Sequence, residues 1–264
     1  MKIGVIGCGN MASAIIGGII AKGFVKAENI TASDKSSAAR EKAEKAFGIN
    51  VTEDNAACVS GADLVLFAIK PNVFPVAGGE LADVLTGDQL ILSIMAGRSI
   101  ADLEAVLGKD RKIVRCMPNT PALVGEGITG YCPNANVSAE ELSICAGLIS
   151  SFSEAEQVPE SLMGVVTSLS GSSPAYVYMF IEAMADAAVA DGMPRAQAYH
   201  FAAQTVLGSA KMVLETGKHP GELKDMVCSP GGTTIEGVTT LEQLGFRSAV
   251  IEAVRACTDK ALNM

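Results

Sequence analysis

The sequence has few of the residues on which most acid–base and metal-dependent enzymes rely. It contains no tryptophan and only two histidines, His200 and His219, in 264 residues. His219 stands before a proline in a turn and His200 falls on a helix-periodic face, so we expect solvent or packing roles for both. A Ser–His–Asp hydrolase, a His-dependent hydroxy-acid dehydrogenase and a zinc site are therefore disfavoured.

Cysteine pairs, basic runs and long apolar runs are also missing. The seven cysteines are an odd number without C-x-x-C spacing, which is typical of reduced structural thiols. The net charge is −9 and the basic residues are dispersed, so no nucleic-acid partner is expected. No apolar segment reaches the ~18 residues that cross a bilayer, and glycines interrupt the N-terminal one. We therefore expect a cytoplasmic protein that does not enter membranes.

A dinucleotide-binding pattern opens the chain. Residues 2–7 form a β-rich run, and Gly7, Gly9 and Ala12 fit G-x-G-x-x-A at the start of an apolar-periodic helix. The first glycine makes the tight turn, the second lets a pyrophosphate approach, and the alanine keeps the helix close to the strand. A second β-rich run at 27–34 follows at the distance that the pattern requires. The pattern predicts a Rossmann-type site for NAD(P).

The end of the second strand leaves the choice of cofactor open. Asp34 can hold the ribose hydroxyls of NAD, whereas Lys35 with Ser33 and Ser36 can hold the phosphate of NADP. Asn55 follows a third β-rich run at 48–54. It either holds the adenosine end of the cofactor or caps a helix.

Further apolar runs predict buried parallel strands at 62–71, 89–97 and 112–121. Ligands of such sheets bind beyond the carboxyl ends of the strands, so Ala68, Ile69 and Lys70 are expected beside the dinucleotide. Lys70 is either a cofactor contact or a solvated surface charge.

The chain changes character after two β-like runs at 127–133 and 154–160, which flank a predicted helix. The rest contains no convincing strand. Ser172, Ser173 and Pro174 are predicted to cap an alanine-rich helix that reaches Gly192, and Pro194 is predicted to start another that runs to about Thr216. Helices of this kind favour a dimer interlock. The predicted fold class is α/β, with a Rossmann-type doubly wound sheet over residues 1–160 and an all-α dimerisation domain over residues 161–264.

The stretch SPGGTTIEGVTTLE runs from Ser229 to Glu242 inside that helical half. A Pro-Gly-Gly break precedes Thr233 and Thr234, which open a new apolar-periodic helix. Free backbone N–H groups at Gly231, Gly232 and Thr233 would suit a small carboxylate. An ordinary capped loop is the alternative, in which Thr234 only caps the helix.

Six motifs carry a resemblance to a known family. They are IGCGNMA at the start, AIKP at 68–71, MAG at 95–97, RCMPNTP at 115–121, LSGSSPAY at 169–176 and HPGELKDMVCSPGGTTIEGVTTLE at 219–242. Together they resemble the pyrroline-5-carboxylate reductases over nearly the whole chain, and the last motif is the most specific. The resemblance implies NAD(P)H-dependent reduction of 1-pyrroline-5-carboxylate to L-proline, the last step of proline biosynthesis. It also implies homodimers that often gather into decamers.

The resemblance implies roles for individual residues. Ser229, Gly232 and Thr233 would hold the substrate carboxylate, Thr234 would be the catalytic residue that bonds the ring nitrogen, and Glu160 would lie near the ring. The implied cofactor contacts are Gly7, Cys8, Gly9, Asn10, Met11, Asn55, Ala68, Ile69, Lys70, Pro71 and Ala96.

Two positions depart from the family's pattern. Some members have Asn in place of Met226, so a substrate contact there would be lost or replaced, and some have Ser in place of Asp34. We take NADPH as the expected cofactor, with NADH possible. A protonated imine is already an electrophile, so positioning can replace the missing histidine.

Two kinds of rival function are weaker, another reductase built on the same plan and a protein without catalysis. A β-hydroxyacid dehydrogenase would use a lysine on an early helix of the second domain, but residues 173–191 contain none. An imine reductase acting on another substrate would share the same plan. A dinucleotide sensor without catalysis would have no need of the SPGGTT loop.

Overall fold

Eight strands occur in the computed structural model, which describes residues 1–263. Each overlaps one of the eight predicted β-rich runs. They are β1 (Ile3–Ile6), β2 (Ile30–Ser33), β3 (Asn50–Thr52), β4 (Leu64–Phe67), β5 (Leu90–Ser93), β6 (Lys112–Met117), β7 (Gly127–Pro133) and β8 (Ser153–Gln157).

The strands form one sheet in the order β3-β2-β1-β4-β5-β6-β7-β8. Neighbouring strands are parallel except for the antiparallel pair β6 and β7. The order reverses between β1 and β4, which is the switch point at which doubly wound sheets bind ligands. The predicted Rossmann-type sheet is therefore confirmed.

Helices cover both faces of this sheet. They are α1 (Asn10–Ala21), α2 (Ser37–Phe47), α3 (Asn55–Val59), α4 (Phe74–Leu81), α5 (Ile100–Leu107) and α6 (Ala139–Ile149). Ile16 of α1 and Ile149 of α6 belong to the core on one face. Phe74 of α4 and Leu103 of α5 belong to the core on the other. Burial of one such side chain contributes roughly 1.5–3 kcal/mol, so the two cores fix the strand ends that bear the site.

The predicted helix cap at Ser172 and Ser173 is wrong, because the chain is already helical there. Helix α7 (Met163–Val166) runs through a π-helical segment (Thr167–Ser172) into α8 (Ser173–Ala190). Pro174 has no N–H to donate, and the wider π turn accommodates the interruption. The predicted alanine-rich helix itself is confirmed.

The helical half also contains α9 (Arg195–Thr216), α10 (Pro220–Met226), α11 (Thr233–Gln243) and α12 (Phe246–Leu262). No strand occurs between residue 161 and residue 263, as expected. Ala185 of α8 packs with Ala198 and Ala202 of α9 in a small core. Within residues 1–263, none of the helices combines the length and the apolar character that crossing a membrane requires.

Two compact units can be distinguished by their internal contacts. The first contains Met1–Ser172 together with the chain from Thr258 onward, and the second contains Ser173–Cys257. This division falls later in the sequence than the predicted limit between residues 160 and 161. A division by internal contacts does not test where the functional domains divide. The limit between residues 160 and 161 therefore stays a prediction.

Candidate active site

The carboxyl ends of the central strands lie side by side. Ile6 is in register with Ser33 and with Phe67, and Phe67 is in register with Ser93. Gly7 follows directly and donates its N–H to the carbonyl of Ser33 at 2.7 Å. The residues after these four strand ends therefore share one edge of the sheet, where a crevice forms.

The glycine loop gives this crevice an open helix start, by which we mean a helix whose N-cap is glycine and makes no side-chain capping bond. Gly7 has φ of 103°, and a Cβ there would lie 2.7 Å from the carbonyl oxygen of Ala68. Gly9 is the N-cap of α1 and faces open space. The first turn of α1 has no acidic residue, so its free N–H groups fit a pyrophosphate.

A cavity of about 360 Å³ lies on one side of this loop. It is lined by the loop glycines, by Ser33, Asp34, Lys35 and Asn55, and by Ala68, Ile69 and Lys70. Helix α4 supplies Val73, Val76, Ala77 and Glu80, which sequence reasoning missed. The side chain of Val76 is 63% exposed, which is unusual for valine and gives an apolar wall suited to a flat base.

A second cavity, of about 390 Å³, adjoins the first, because Gly9, Ala68, Ile69 and Lys70 line both. Its other lining residues include Asn10, Met11, Pro71, Ala96, Met117, Thr120 and Gly171. Thirteen of the fourteen predicted cofactor residues line one cavity or both. The exception is Cys8, whose thiol is buried below the loop.

The structure removes one of the two roles that the sequence leaves open for Asn55, but it removes neither of those for Lys70. The hydroxyl of Ser33 donates to Oδ1 of Asn55 at 2.7 Å. Asp54, not Asn55, caps α3, since Oδ1 of Asp54 accepts from Ala56 at 2.8 Å. Asn55 is therefore available at the cavity wall. Lys70 is exposed and forms no ion pair within residues 1–263, so both of its interpretations remain.

Arg98 is a further residue that sequence reasoning missed. Its Nη2 and Nε donate to the carbonyl oxygen of Pro71 at 2.9 and 3.3 Å. This contact joins the loop after β5 to the loop after β4, and both loops line the second cavity. Its only signal in the sequence was its place directly after the MAG motif.

Glu160 is held away from this crevice by other partners. Its Oε1 accepts from the backbone N–H of Ile100 at 2.6 Å and from Nη1 of Arg115 at 3.1 Å. Glu160 lines a separate cleft together with Glu104 and Asn134. Glu160 thus balances the charge of the largely buried Arg115 and accepts from the first N–H of α5. It does not line the cavities beside the glycine loop.

The loop Ser229–Thr234 belongs to the helical unit and forms a second open helix start. Gly232 donates its N–H to the carbonyl of Ser229 at 3.1 Å, and Gly231 has φ of 65°. Proline and glycine at the two central positions are the pairing of a type II turn. Gly232 is the N-cap of α11 without a side-chain cap, and a Cβ there would lie 2.4 Å from Oγ of Ser229.

The threonines of α11 fall into two classes. Thr239 and Thr240 donate their hydroxyls to the carbonyl of Glu236 at 3.0 and 2.9 Å. Thr233 and Thr234 are exposed, and within residues 1–263 their hydroxyls make no hydrogen bond. Thr234 therefore does not cap the helix, and its hydroxyl is free for a ligand.

The buried thiols are poor candidates for chemistry. None of the seven cysteines, all of which lie within the described residues, forms a disulfide bond. Burial raises the pKa of Cys8, Cys58 and Cys132 to about 11, and it raises the pKa of Cys145 to about 12. Such thiols stay protonated at neutral pH and are poor nucleophiles. The described residues, 1–263, also contain no group of three or more metal-ligating side chains.

Comparison with known proteins gives matches along the whole chain. Residues 160–264 match the family described as pyrroline-5-carboxylate reductase dimerisation, and residues 2–97 match NADP oxidoreductase coenzyme F420-dependent. The pyrroline-5-carboxylate reductase of Escherichia coli K12 is 53% identical over 264 residues, covering 98% of this chain and 97% of that protein. The enzyme of Methanosarcina acetivorans is 45% identical over 260 residues, covering 98% and 96%.

Solved structures agree with the sequence matches. The crystal structure of Plasmodium falciparum pyrroline carboxylate reductase with NADP bound has a TM-score of 0.90 at 34% identity, covering 99% of this chain and 97% of that chain. The pyrroline-5-carboxylate reductase of Coxiella burnetii has a TM-score of 0.92 at 34% identity, with the same coverage.

Proposed function

Because this chain belongs to the pyrroline-5-carboxylate reductase family, we propose that its two open helix starts hold the two reactants of that enzyme. The chain is an oxidoreductase that reduces 1-pyrroline-5-carboxylate to L-proline with NAD(P)H, the last step of proline biosynthesis. The start of α1 and the strand-end cavities bind the cofactor. The loop Ser229–Thr234 at the start of α11 binds the substrate.

The free hydroxyl of Thr234 is the observation that carries the substrate site. The backbone N–H groups of Gly231 and Thr233 can each form a charge-assisted bond to the substrate carboxylate, worth roughly 1.5–3 kcal/mol. The N–H of Gly232, which the sequence also led us to expect free, already donates to the carbonyl of Ser229 within the turn. The helix dipole adds only about 0.3–1 kcal/mol, so hydrogen bonds dominate. Thr234 then reaches the ring nitrogen next to the carboxylate-bearing carbon, which limits the site to ligands with both groups.

The reaction requires the protein mainly to orient the two reactants. When bound, NAD(P)H supplies a hydride, which adds to the carbon of the protonated C=N bond while the electron pair of that bond moves to nitrogen. Thr234 holds the nitrogen and the loop holds the carboxylate, which fixes the face of the ring that is presented. Holding reactants in the reactive geometry can supply roughly 7–11 kcal/mol of a barrier, so neither a histidine nor a reactive thiol is required.

We also propose how the chain assembles and where it acts. The helical unit exposes large apolar side chains, including Phe201, Leu214 and Leu244. An apolar groove of about 800 Å³ is lined by Phe180, Phe246 and their neighbours on α8, α11 and α12. These surfaces support a homodimer formed through the helical unit. We propose in addition that the dimers gather into decamers in the cytoplasm, as the resemblance to the family implies. Sedimentation of the purified protein at micromolar concentration would show a monomer if this is wrong.

A pair of threonine variants tests the substrate site. We expect Thr234→Ala to lower turnover of 1-pyrroline-5-carboxylate roughly 10- to 200-fold, the equivalent of one charge-assisted hydrogen bond. Thr240→Ala is the matched control, because its hydroxyl bonds only the carbonyl of Glu236 in its own helix. NAD(P)H oxidation and proline formation are measured together. Equal activity of the two variants would rule out a catalytic Thr234.

A further inference from the structure

The carboxylate of Asp34 bridges two parts of the cofactor site. Its Oδ2 accepts from the backbone N–H of Cys8 at 2.9 Å, inside the glycine loop. Its Oδ1 accepts from the backbone N–H of Ser36 at 2.9 Å, directly before α2. One side chain therefore ties the glycine loop to the turn between β2 and α2.

Asp34 is itself fixed from two sides. Its N–H donates to the carbonyl of Thr52 in β3 at 3.3 Å. Its carbonyl accepts from Nη1 of Arg40 at 2.6 Å, and the side chain of Arg40 is only 18% exposed. Nη2 of Arg40 lies 3.6 Å from Glu53. The sheet and α2 thus fix the backbone of Asp34. We call the two hydrogen bonds from its carboxylate to Cys8 and Ser36 the brace.

These contacts compete with the usual role of an acid at this position, because they fix the direction of the carboxylate while leaving each of its oxygens one further lone pair. An acidic residue that selects NAD directs its carboxylate oxygens to the ribose hydroxyls. Here each oxygen of Asp34 already accepts from a backbone N–H, and the Cys8 residue that donates one of them is only 8% exposed. Turning the carboxylate toward a ribose would leave that buried donor without its partner, which is unfavourable.

We propose that Asp34 is a positioning residue that holds the glycine loop in its pyrophosphate-binding shape, and that it does not discriminate NADH from NADPH. The inference rests on the proposed cofactor site. It predicts that loss of the brace weakens binding of both nucleotides to the same extent, because both place a pyrophosphate at the start of α1.

Direct titration of the intact protein with NADPH and with NADH, followed by nicotinamide fluorescence, tests this. Asp34→Asn keeps one oxygen acceptor and Asp34→Ser reaches neither N–H, so we expect Kd to rise in that order, by about tenfold or more for serine. The ratio of the two Kd values should stay within about twofold of the original, and KM for 1-pyrroline-5-carboxylate should not change. Asp63→Asn is the matched control, since Asp63 also accepts from a backbone N–H, that of Lys2 at 2.6 Å, but before β1 and β4, at the opposite end of these strands. It should leave both Kd values unchanged.

Each contrary outcome is distinguishable. A shift of the ratio by tenfold toward NADPH in Asp34→Ser would show that Asp34 reads the ribose and would overturn the inference. Unchanged Kd values in both variants would overturn it as well. Failure of the unaltered protein to bind either nucleotide would instead overturn the proposed cofactor site. The serine variant serves if the asparagine variant does not fold, and a fall in the melting temperature without a change in Kd counts against the brace.

Discussion

Helices α1 and α11 begin in the opposite way from helices α5 and α6. The starts of α5 and α6 are closed by reciprocal capping boxes, formed by Ser99 with Asp102 and by Ser138 with Glu141. The starts of α1 and α11 have glycine N-caps and no side-chain bond. The same feature, a helix N-terminus, is thus a stabilising device where side chains satisfy it, whereas at α1 and α11 it leaves N–H groups free for a ligand.

The two open starts also differ from each other. The first turn of α1 has no acidic residue and rests on a buried core, with Ala12 only 1% exposed. The first turn of α11 contains Glu236 and carries the free hydroxyl of Thr234. The α1 start suits a doubly charged pyrophosphate, whereas the α11 start suits a single carboxylate beside a nitrogen.

Adding a side-chain cap at the start of α1 should have the largest effect, on the affinity for the cofactor. Gly9→Asp would place a carboxylate among the free N–H groups and opposite the pyrophosphate, where like charges near 4 Å repel by about 4 kcal/mol at an effective dielectric of about 20. We expect Kd for NADPH and NADH to rise at least about a hundredfold in titrations. The melting temperature should not fall, since Asp is among the best N-caps. Unchanged affinity would show that the α1 start is not the pyrophosphate site.

Crowding the start of α11 should have a smaller effect on the other reactant. Gly232→Ala forces a methyl group against Oγ of Ser229, which must move. We expect KM for 1-pyrroline-5-carboxylate to rise about tenfold, the loss of one hydrogen bond of about 1.4 kcal/mol, with Kd for NADPH unchanged. Gly237→Ala on the same helix meets nothing within 4 Å and is the control. A change in cofactor affinity, with KM unaltered, would contradict this division.

Removing the side-chain cap from α6 should affect stability alone. Ser138→Ala removes the hydroxyl that accepts from the N–H of Glu141 at 3.3 Å. We expect a loss of about 1 kcal/mol in the free energy of unfolding, measured with urea. The turnover number and both KM values should match the unaltered protein. A kinetic defect would mean that capped starts also serve the reaction.

The pH dependence of the α6 capping box should give the smallest effect. Hydrogen bonding to Nζ of Lys112 at 2.6 Å, with help from Ser138, lowers the pKa of Glu141 from 4.5 to about 2. A carboxyl group whose pKa is lower in the folded state stabilises the fold above its ordinary pKa, and this contribution is lost as pH falls from about 4.5 to about 2. Glu141→Gln should therefore unfold with a weaker pH dependence across this window. Parallel curves for the two proteins would refute the assignment.

The sequence predicted what local chemistry determines. Glycine spacing and the β-rich runs located the eight strands and the cavity residues at their ends, and the Pro-Gly-Gly break located the start of α11. The wall that α4 adds to the first cavity was missed. Asn55 remained ambiguous because only the structure shows that Asp54 caps α3. The contacts of Arg98 and Glu160 could not be predicted, since their partners lie 27 and 45 or more residues away in the chain. Contacts of this kind depend on how the strands are ordered and leave no periodic signal.

The buried thiols have a practical consequence for the isolated enzyme. Cys8, Cys58, Cys116, Cys132 and Cys145 are all buried, and a raised pKa keeps each protonated in ordinary buffers. Oxidants and alkylating reagents act on the exposed thiolate, so these five sites should survive storage in air without a reducing agent. Cys228 is partly exposed and stands directly before Ser229. A label attached there would report from the edge of the loop Ser229–Thr234.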